Sequence, residues 1–259
     1  PLDELNQEIA ENVYPERADF TRERYIGENF ADHQMDSFPN LARRELGNAQ
    51  SAILRPRDRN WFSTTTLDED RDQEPENARF LQYLTKTLKA KVYHPRSNFI
   101  SATKAGDHDF VSFGNTVISI ESASRKWRGN GEDRADWHFP YFECHHLRDC
   151  AWMQNDLSVI DHLHRRDQMT AREMKLRFGE SNLAEPVKRL CEKTPHVKVN
   201  LRCIVMPWDD YDYLKIEKGE AGNPGSKVRG KGKKLPFVVI YIDSDNVKAC
   251  GTFAWTVAH

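Results

Sequence analysis

Long apolar runs are missing from this 259-residue sequence, and so is an excess of either charge. No stretch reaches the roughly 18 apolar residues that a membrane-spanning helix needs, so we expect no membrane partner. The start of the chain is acidic and shows no signal peptide. Lys and Arg number 38 against 40 Asp and Glu, for a net charge of −2. That balance excludes a globally basic protein that binds nucleic acid through bulk charge.

Cysteine is scarce and irregularly spaced, with five residues in the chain. An odd count without a regular spacing argues against a disulfide framework and predicts a reducing compartment. Phosphate-loop, GxSxG, HExxH and CxxC motifs are all missing, so neither an enzyme nor a cofactor is indicated. Only 38% of the residues are hydrophobic while 30% are charged, which suggests that neighbouring subunits supply part of the apolar burial.

The first 115 residues show the periodicity of four amphipathic helices. Strand propensity is predicted for residues 61–66 and an exposed loop for residues 68–76. A glycine at position 114 is well placed to end the fourth helix. The apolar stripes of the four helices are Leu2, Leu5, Ile9 and Val13; Ala42, Leu46, Ala49 and Ile53; Leu81, Leu84 and Leu88; and Phe99, Ala102, Gly106, Phe110 and Phe113.

Strands dominate after residue 115. A strand is predicted at 116–121, a hairpin over 150–165, an alternating strand at 197–205, and two final strands from 237 onward. Thr170 and Glu173 form a capping box that opens the first of two short helices. We therefore predict an α+β protein with a helical part, 1–115, and a β-rich, small barrel-like part, 116–259. The second part contains inserted helices at 170–193 and a basic, Gly-rich loop at 219–234.

Two groups of residues could hold a metal ion. Zinc needs thiolates and imidazoles in a tetrahedral set, and the first group offers these without a recognised spacing, so ordinary strand residues and a buried cysteine are the favoured interpretation. Clustered carboxylates could bind Mg²⁺ for phosphoryl chemistry, although a solvated loop is the favoured interpretation of the second group. The first group is Cys144, His145, His146, Cys150, Asp161, His162 and His164, and the second is Asp209, Asp210 and Asp212.

A run of five cations without an acid lies in the Gly-rich loop. These residues could contact DNA phosphates or an acidic partner, or form a solvated hairpin tip, which is the favoured interpretation. They are Lys227, Arg229, Lys231, Lys233 and Lys234. A metal-dependent nucleic-acid enzyme and a DNA-binding virion adaptor protein thus remain as alternative functions.

Several motifs in order resemble one protein family. They are DSFPNLARRELGNA at 36–49, LRPR at 54–57 leading to Trp61 and Phe62, the helix-glycine-strand stretch at 110–121, HLRDCAWM at 146–153, and DHLHRR at 161–166 followed by MTA at 169–171 and LRFG at 176–179. Together they resemble the head-to-tail connecting, or portal, proteins of short-tailed double-stranded DNA bacteriophages. The resemblance covers nearly the whole chain.

The resemblance implies a structural subunit of a dodecameric ring at one capsid vertex, through which DNA is packaged and ejected. It implies contacts with identical copies, the major capsid protein, tail adaptor proteins, the terminase and the passing double-stranded DNA. The protein would be made in the host cytoplasm and end in the virion. The chain is similar to the family's N-terminal wing region, and the stem and clip would follow His259. Strand-like sequence at 251–257, close to the end, agrees with a piece of a longer polypeptide.

Overall fold

The α+β class is confirmed, with helices in the first half and a sheet in the second. The computed structural model describes residues 2–23, 25, 27–28, 34–56, 59–129, 132–208, 210–211 and 236–255. The chain divides into two compact units, Pro1–Arg148 and Asp149–His259. None of the helices in these ranges combines the length and apolar character needed to cross a membrane.

The first unit contains five helices and one long hairpin among the residues that the structure describes. Each of the four predicted helices is present, and the strand predicted at 116–121 extends much further. The elements are α1 (Leu2–Val13), α2 (Phe38–Leu54), α3 (Glu69–Gln73), α4 (Pro75–Val92), α5 (Phe99–Phe113), β1 (Val117–Gly129) and β2 (Glu132–His145). Strands β1 and β2 pair antiparallel and form a hairpin. This hairpin belongs to the same compact unit as the five helices.

Two local predictions in this unit are wrong. Residues 61–66 form no strand, because their backbone meets a helix: the amide of Thr64 donates to Oγ1 of Thr85 on α4, 3.0 Å away. The segment predicted as an exposed loop contains α3, since the Asp68 side chain accepts a hydrogen bond from the amide of Arg71 and caps that helix. Pro75 then begins α4, a position that suits proline.

A small aromatic core joins the first turn of α5 to the β1–β2 hairpin. This turn of α5 follows directly after the 3₁₀ turn Pro95–Ser97. Phe99, Ala102 and Phe142 are buried together, and the rings of Phe99 and Phe142 meet edge to face at 4.9 Å between centroids. Gly114 ends α5 in the left-handed conformation with φ 73°, as the sequence predicts. Toward the other end of the predicted α5 stripe, Phe110 is 47% exposed, whereas Phe113 is half-buried and its ring lies 5.2 Å from that of Phe20.

The second unit is an antiparallel sheet with two helices inserted between its second and third strands. The sheet order is β3-β4-β5-β6-β7, so consecutive strands are neighbours throughout. The described strands therefore form an open meander and not a closed barrel. The elements are β3 (Cys150–Gln154), β4 (Ile160–Thr170), α6 (Ala171–Phe178), α7 (Glu185–Lys193), β5 (Lys198–Pro207), β6 (Phe237–Asp243) and β7 (Lys248–Trp255).

Helices α6 and α7 cover one face of this sheet. Met174, Leu183, Val187 and Leu201 are at most 1% exposed and form the centre of the core. The predicted capping box is present: the Thr170 hydroxyl accepts from the amide of Glu173, and the Thr170 amide donates back to the Glu173 carboxylate. The predicted alternation along β5 is also present, with Val199, Leu201 and Cys203 buried between exposed neighbours.

Candidate functional site

A buried charge pair fixes the turn after α1 to the middle of α5. Arg17, in the 3₁₀ turn Pro15–Arg17, donates through Nε to Oδ1 of Asp109 at 3.2 Å. Its terminal nitrogen donates to Oδ2 at 3.0 Å, and the Asp109 side chain is only 1% exposed. Such two-pronged arginine-carboxylate pairs combine strength with a defined geometry.

The thiol of Cys144 is the third member of this buried group. Its Sγ lies 3.5 Å from Oδ2 of Asp109, at hydrogen-bonding distance for sulfur. Burial raises the pKa of Asp109, while the Arg17 guanidinium opposes the rise. Burial first, and then the Asp109 charge, raise the pKa of Cys144 to about 11. Cys144 is therefore a neutral thiol near pH 7, which makes it a poor nucleophile and a poor metal ligand.

Further charge pairs fasten the same unit together. Arg148 donates to Oδ2 of Asp19 at 2.6 Å, and Nε2 of His146 lies 2.7 Å from Oδ1 of Asp19. Arg55, directly after α2, pairs with Asp107 on α5. These contacts join the segment after α1, the end of α2 and the end of β2 to α5 and to each other. They stabilise the frame of this unit.

The Cys/His group proposed from the sequence is not brought together as a metal centre. Nε2 of His145 lies 2.8 Å from the hydroxyl of Ser119, while His146 faces Asp19 and Cys144 faces Asp109. His162 has a carboxylate at each ring nitrogen, Asp161 at 2.7 Å and Asp210 at 3.3 Å. Among the described residues, no three His, Cys, Asp or Glu side chains are grouped so that they could hold a metal ion.

Cys150 and His164 lie on the paired strands β3 and β4, whereas most of the other candidate residues lie outside the described residues. This applies to Asp209 and Asp212 of the acidic cluster, and to all five cations of the basic loop: Lys227, Arg229, Lys231, Lys233 and Lys234. Asp210 is described, is exposed and approaches His162 as stated above.

The apolar stripe of α2 faces outward, which corrects the expectation that an amphipathic helix buries its apolar side. Leu46 is 58% and Ile53 is 77% exposed, and Ala42 and Ala49 are exposed with them. The buried positions of α2 are Arg43 and Gly47. Arg43 places its guanidinium carbon 3.8 Å from the centroid of the Tyr14 ring, a cation–π contact.

Gly47 explains why the face of α2 that carries Arg43 is turned inward. A Cβ atom at position 47 would overlap the ring of His108 on α5, so glycine permits the two helices to approach closely. The apolar stripe then points away from α5. A glycine inside a helix, on a different side of the helix from the apolar stripe, is the sequence signal that could have revealed this orientation.

A second exposed apolar face lies on α4. Phe80 is 62% and Tyr83 is 67% exposed, whereas Leu81 and Leu84 of the predicted inward stripe are half-buried and Leu88 is 39% exposed. A shallow groove continues this face and is lined by Lys86, Lys89, Ala90, Tyr93 and Ile100. Contiguous exposed apolar surface of this kind marks sites of protein association.

Buried charge pairs stiffen the frame, and apolar helix faces lie exposed outside it. These two features together are typical of a protein that associates with other proteins. The sequence model of the family described as bacteriophage head to tail connecting protein matches residues 1–252. The chain belongs to this family, and the resemblance drawn from its motifs is confirmed. It is thus a structural head-tail connecting protein of a bacteriophage and a component of the virion. No curated protein matches the chain.

Proposed function

We propose that the chain is one subunit of a ring-shaped portal, a dodecamer that joins head to tail and through which DNA is packaged and ejected. The family match over residues 1–252 supports the connector role. The observation that carries the ring is the presence of two different exposed apolar faces, on α2 and on α4, within one compact unit. Unlike patches that meet head to tail generate closed rings when the rotation between copies closes.

The net charge of the chain suits a channel that does not bind DNA tightly. A net charge of −2 gives no strong overall attraction to phosphates, so DNA could move along the ring without tight, salt-sensitive binding. The subunit acts by shape and turns over no substrate. The buried pairs at Arg17 and Asp19 would then keep each wedge of the ring rigid.

The ring would sit at one capsid vertex and contact four kinds of partner besides its own copies. These are the major capsid protein, the tail adaptor proteins, the terminase during packaging, and the double-stranded DNA in the channel. Within the wing of such a subunit, residues 1–115 would form the helical part and residues 116–259 the β-rich part. The support for this division is the change from helix to strand between Phe113 and Val117.

The basic loop is proposed as a secondary contact for phosphates or an acidic partner. Five cations without an acid would make the contact depend strongly on salt. Deleting residues 227–234 should reduce binding of the chain to double-stranded DNA and flatten its salt dependence. Unchanged binding after deletion assigns the loop to a solvated hairpin tip, and leaves the ring proposal intact.

Negative-stain electron microscopy of the chain tests the ring directly. We expect annular particles with a central hole at micromolar concentrations. A chain that stays monomeric at every accessible concentration contradicts the ring. Stoichiometric bound metal together with nuclease activity, lost on substitution of Asp209, Asp210 and Asp212 by alanine, would favour the enzyme alternative.

A further inference from the structure

The α2 stripe is an outward row of five apolar residues that alternate large and small. Its members are Phe38, Ala42, Leu46, Ala49 and Ile53. At about 1.5 Å per residue, the row extends for about 22 Å along the helix. Phe38 is 69%, Leu46 58% and Ile53 77% exposed, so each of the three large side chains projects from the surface. Such a row presents knobs separated by gaps, the form that packs into a groove.

The charge beside the α2 stripe is acidic. Glu45 is exposed and lies next to the stripe on the helix surface, by its position in the 3.6-residue repeat. The cation Arg43 is turned inward, where it stacks on Tyr14 and lies 3.9 Å from Glu16. Arg44 is exposed on a different side of the helix. A partner for this stripe should therefore offer apolar surface with a positive border.

The α4 face has those properties. We define it as Phe80, Tyr83 and Ala90 with the bordering cations Arg79 and Lys86, all of them exposed. The groove that continues it adds a third cation, Lys89, and the apolar side chains of Tyr93 and Ile100. Glu76, one turn before Phe80, is the acid on this side of the helix. A shallow groove thus continues the mainly basic α4 face, whereas the α2 stripe projects from the surface and is bordered by Glu45.

We propose that the α2 stripe of one copy packs on the α4 face of the next copy and forms the head-to-tail contact of the ring. The inference rests on the proposed function, because it names the surfaces through which identical copies meet. Shape and charge both select this pairing. Two α2 stripes facing each other would bring the Glu45 side chains of the two copies close together. They would also close a two-fold dimer, which does not continue into a ring.

Matched charge insertions test the two surfaces separately. Leu46→Glu places an acid in the α2 stripe, and Phe80→Glu removes an aromatic side chain from the α4 face and lowers its positive charge. Asn48→Glu is the control for both, because it adds the same charge at an exposed position of α2 on the side away from the stripe. We expect each test variant to raise the concentration for half-assembly by about tenfold or more, which corresponds to about 1.4 kcal/mol. The control should stay within about twofold, and circular dichroism should show all three variants folded.

Mixing the two test variants distinguishes a head-to-tail contact from every symmetric one. The Leu46→Glu chain keeps its α4 face and the Phe80→Glu chain keeps its α2 stripe, so a one-to-one mixture should form heterodimers that grow no further. Folded variants that assemble as the wild type does, or a mixture that stays monomeric, overturn the α2–α4 assignment while the ring proposal stands. A wild-type chain that never assembles overturns the ring proposal itself.

Discussion

Arg17 makes two hydrogen bonds to Asp109 across 92 positions of sequence, at 3.2 and 3.0 Å. The pair fastens the turn after α1 to α5. A buried carboxylate that loses its partner costs several kcal/mol, since its charge is left without compensation. The helical frame should therefore be sensitive to the loss of this pair.

Substitution of Arg17 should destabilise the chain far more than substitution of an exposed arginine. Arg17→Ala leaves Asp109 buried and unpaired, and we expect a loss of about 3 kcal/mol in the free energy of unfolding. Arg22→Ala is the matched control, because Arg22 is 65% exposed and lies 3.8 Å from Glu11, and it should cost under about 1 kcal/mol. Guanidinium denaturation measures the free energy of unfolding of both variants. Equal losses would show that the Arg17–Asp109 pair does not stabilise the fold.

Gly47→Ala should destabilise α2 although alanine is the better helix former. The new methyl group would overlap the His108 ring, and overpacking of this kind costs about 1 to 3 kcal/mol. Asn48→Ala, one residue further and exposed, should be neutral or slightly stabilising. Denaturant unfolding compares the two, and His108→Ala should relieve the cost of the alanine at position 47. A stabilising Gly47→Ala would show that α2 and α5 do not approach closely.

The stability of the chain should fall in mild acid partly through His108. Burial first, and then the charges of Arg43 and Lys104, lower the pKa of His108 below 6.5, while Asp107 and Glu16 oppose the shift. The unfolded chain therefore takes up the proton first, so this contribution is complete above pH 6.5 and is lost as the pH falls through the folded-state pKa.

Unfolding free energies measured at steps from pH 7.5 to pH 5 should decline more steeply for the wild type than for His108→Gln. The two proteins share every other titrating group, so the difference between their slopes reports His108 alone. Parallel curves would show that the histidine stays solvated in the folded chain.

Cys144 should react slowly with iodoacetamide in the folded chain. A pKa of about 11 leaves a thiolate fraction near pH 8 about a hundredfold smaller than that of an ordinary cysteine. Peptide mapping by mass spectrometry should show slow labelling that accelerates as the pH approaches 11, and rapid labelling in denaturant. Equal rates in the folded and unfolded chain at pH 8 would contradict the buried thiol next to Asp109.

Local sequence signals predicted the elements well and the surfaces poorly. The capping box at Thr170 and the alternation along β5 depend on residues close together in the sequence, so they could be identified before the fold was known. The outward stripe of α2 depends on the contact between Gly47 and His108, 61 positions apart by their numbering. The Arg17–Asp109 pair was missed for the same reason, because no periodicity links two distant polar residues.

The Cys/His group is not assembled as a metal centre, for a related physical reason. Neighbouring residues such as His145 and His146 point to different partners, Ser119 and Asp19, because side chains alternate along an extended strand and turn away at its end. Residues that are neighbours in the sequence therefore do not come together as ligands of one metal ion. The family motifs were more informative, since their order over residues 36–179 led to the class that the match over residues 1–252 confirms.

Native mass spectrometry of the chain at micromolar concentration tests the ring most directly. We expect one dominant closed particle, with twelve times the 30.1 kDa mass of the chain, that breaks down in Leu46→Glu and persists in Asn48→Glu. A monomer at all concentrations, or an unbroken series of masses without a closed species, would contradict the ring.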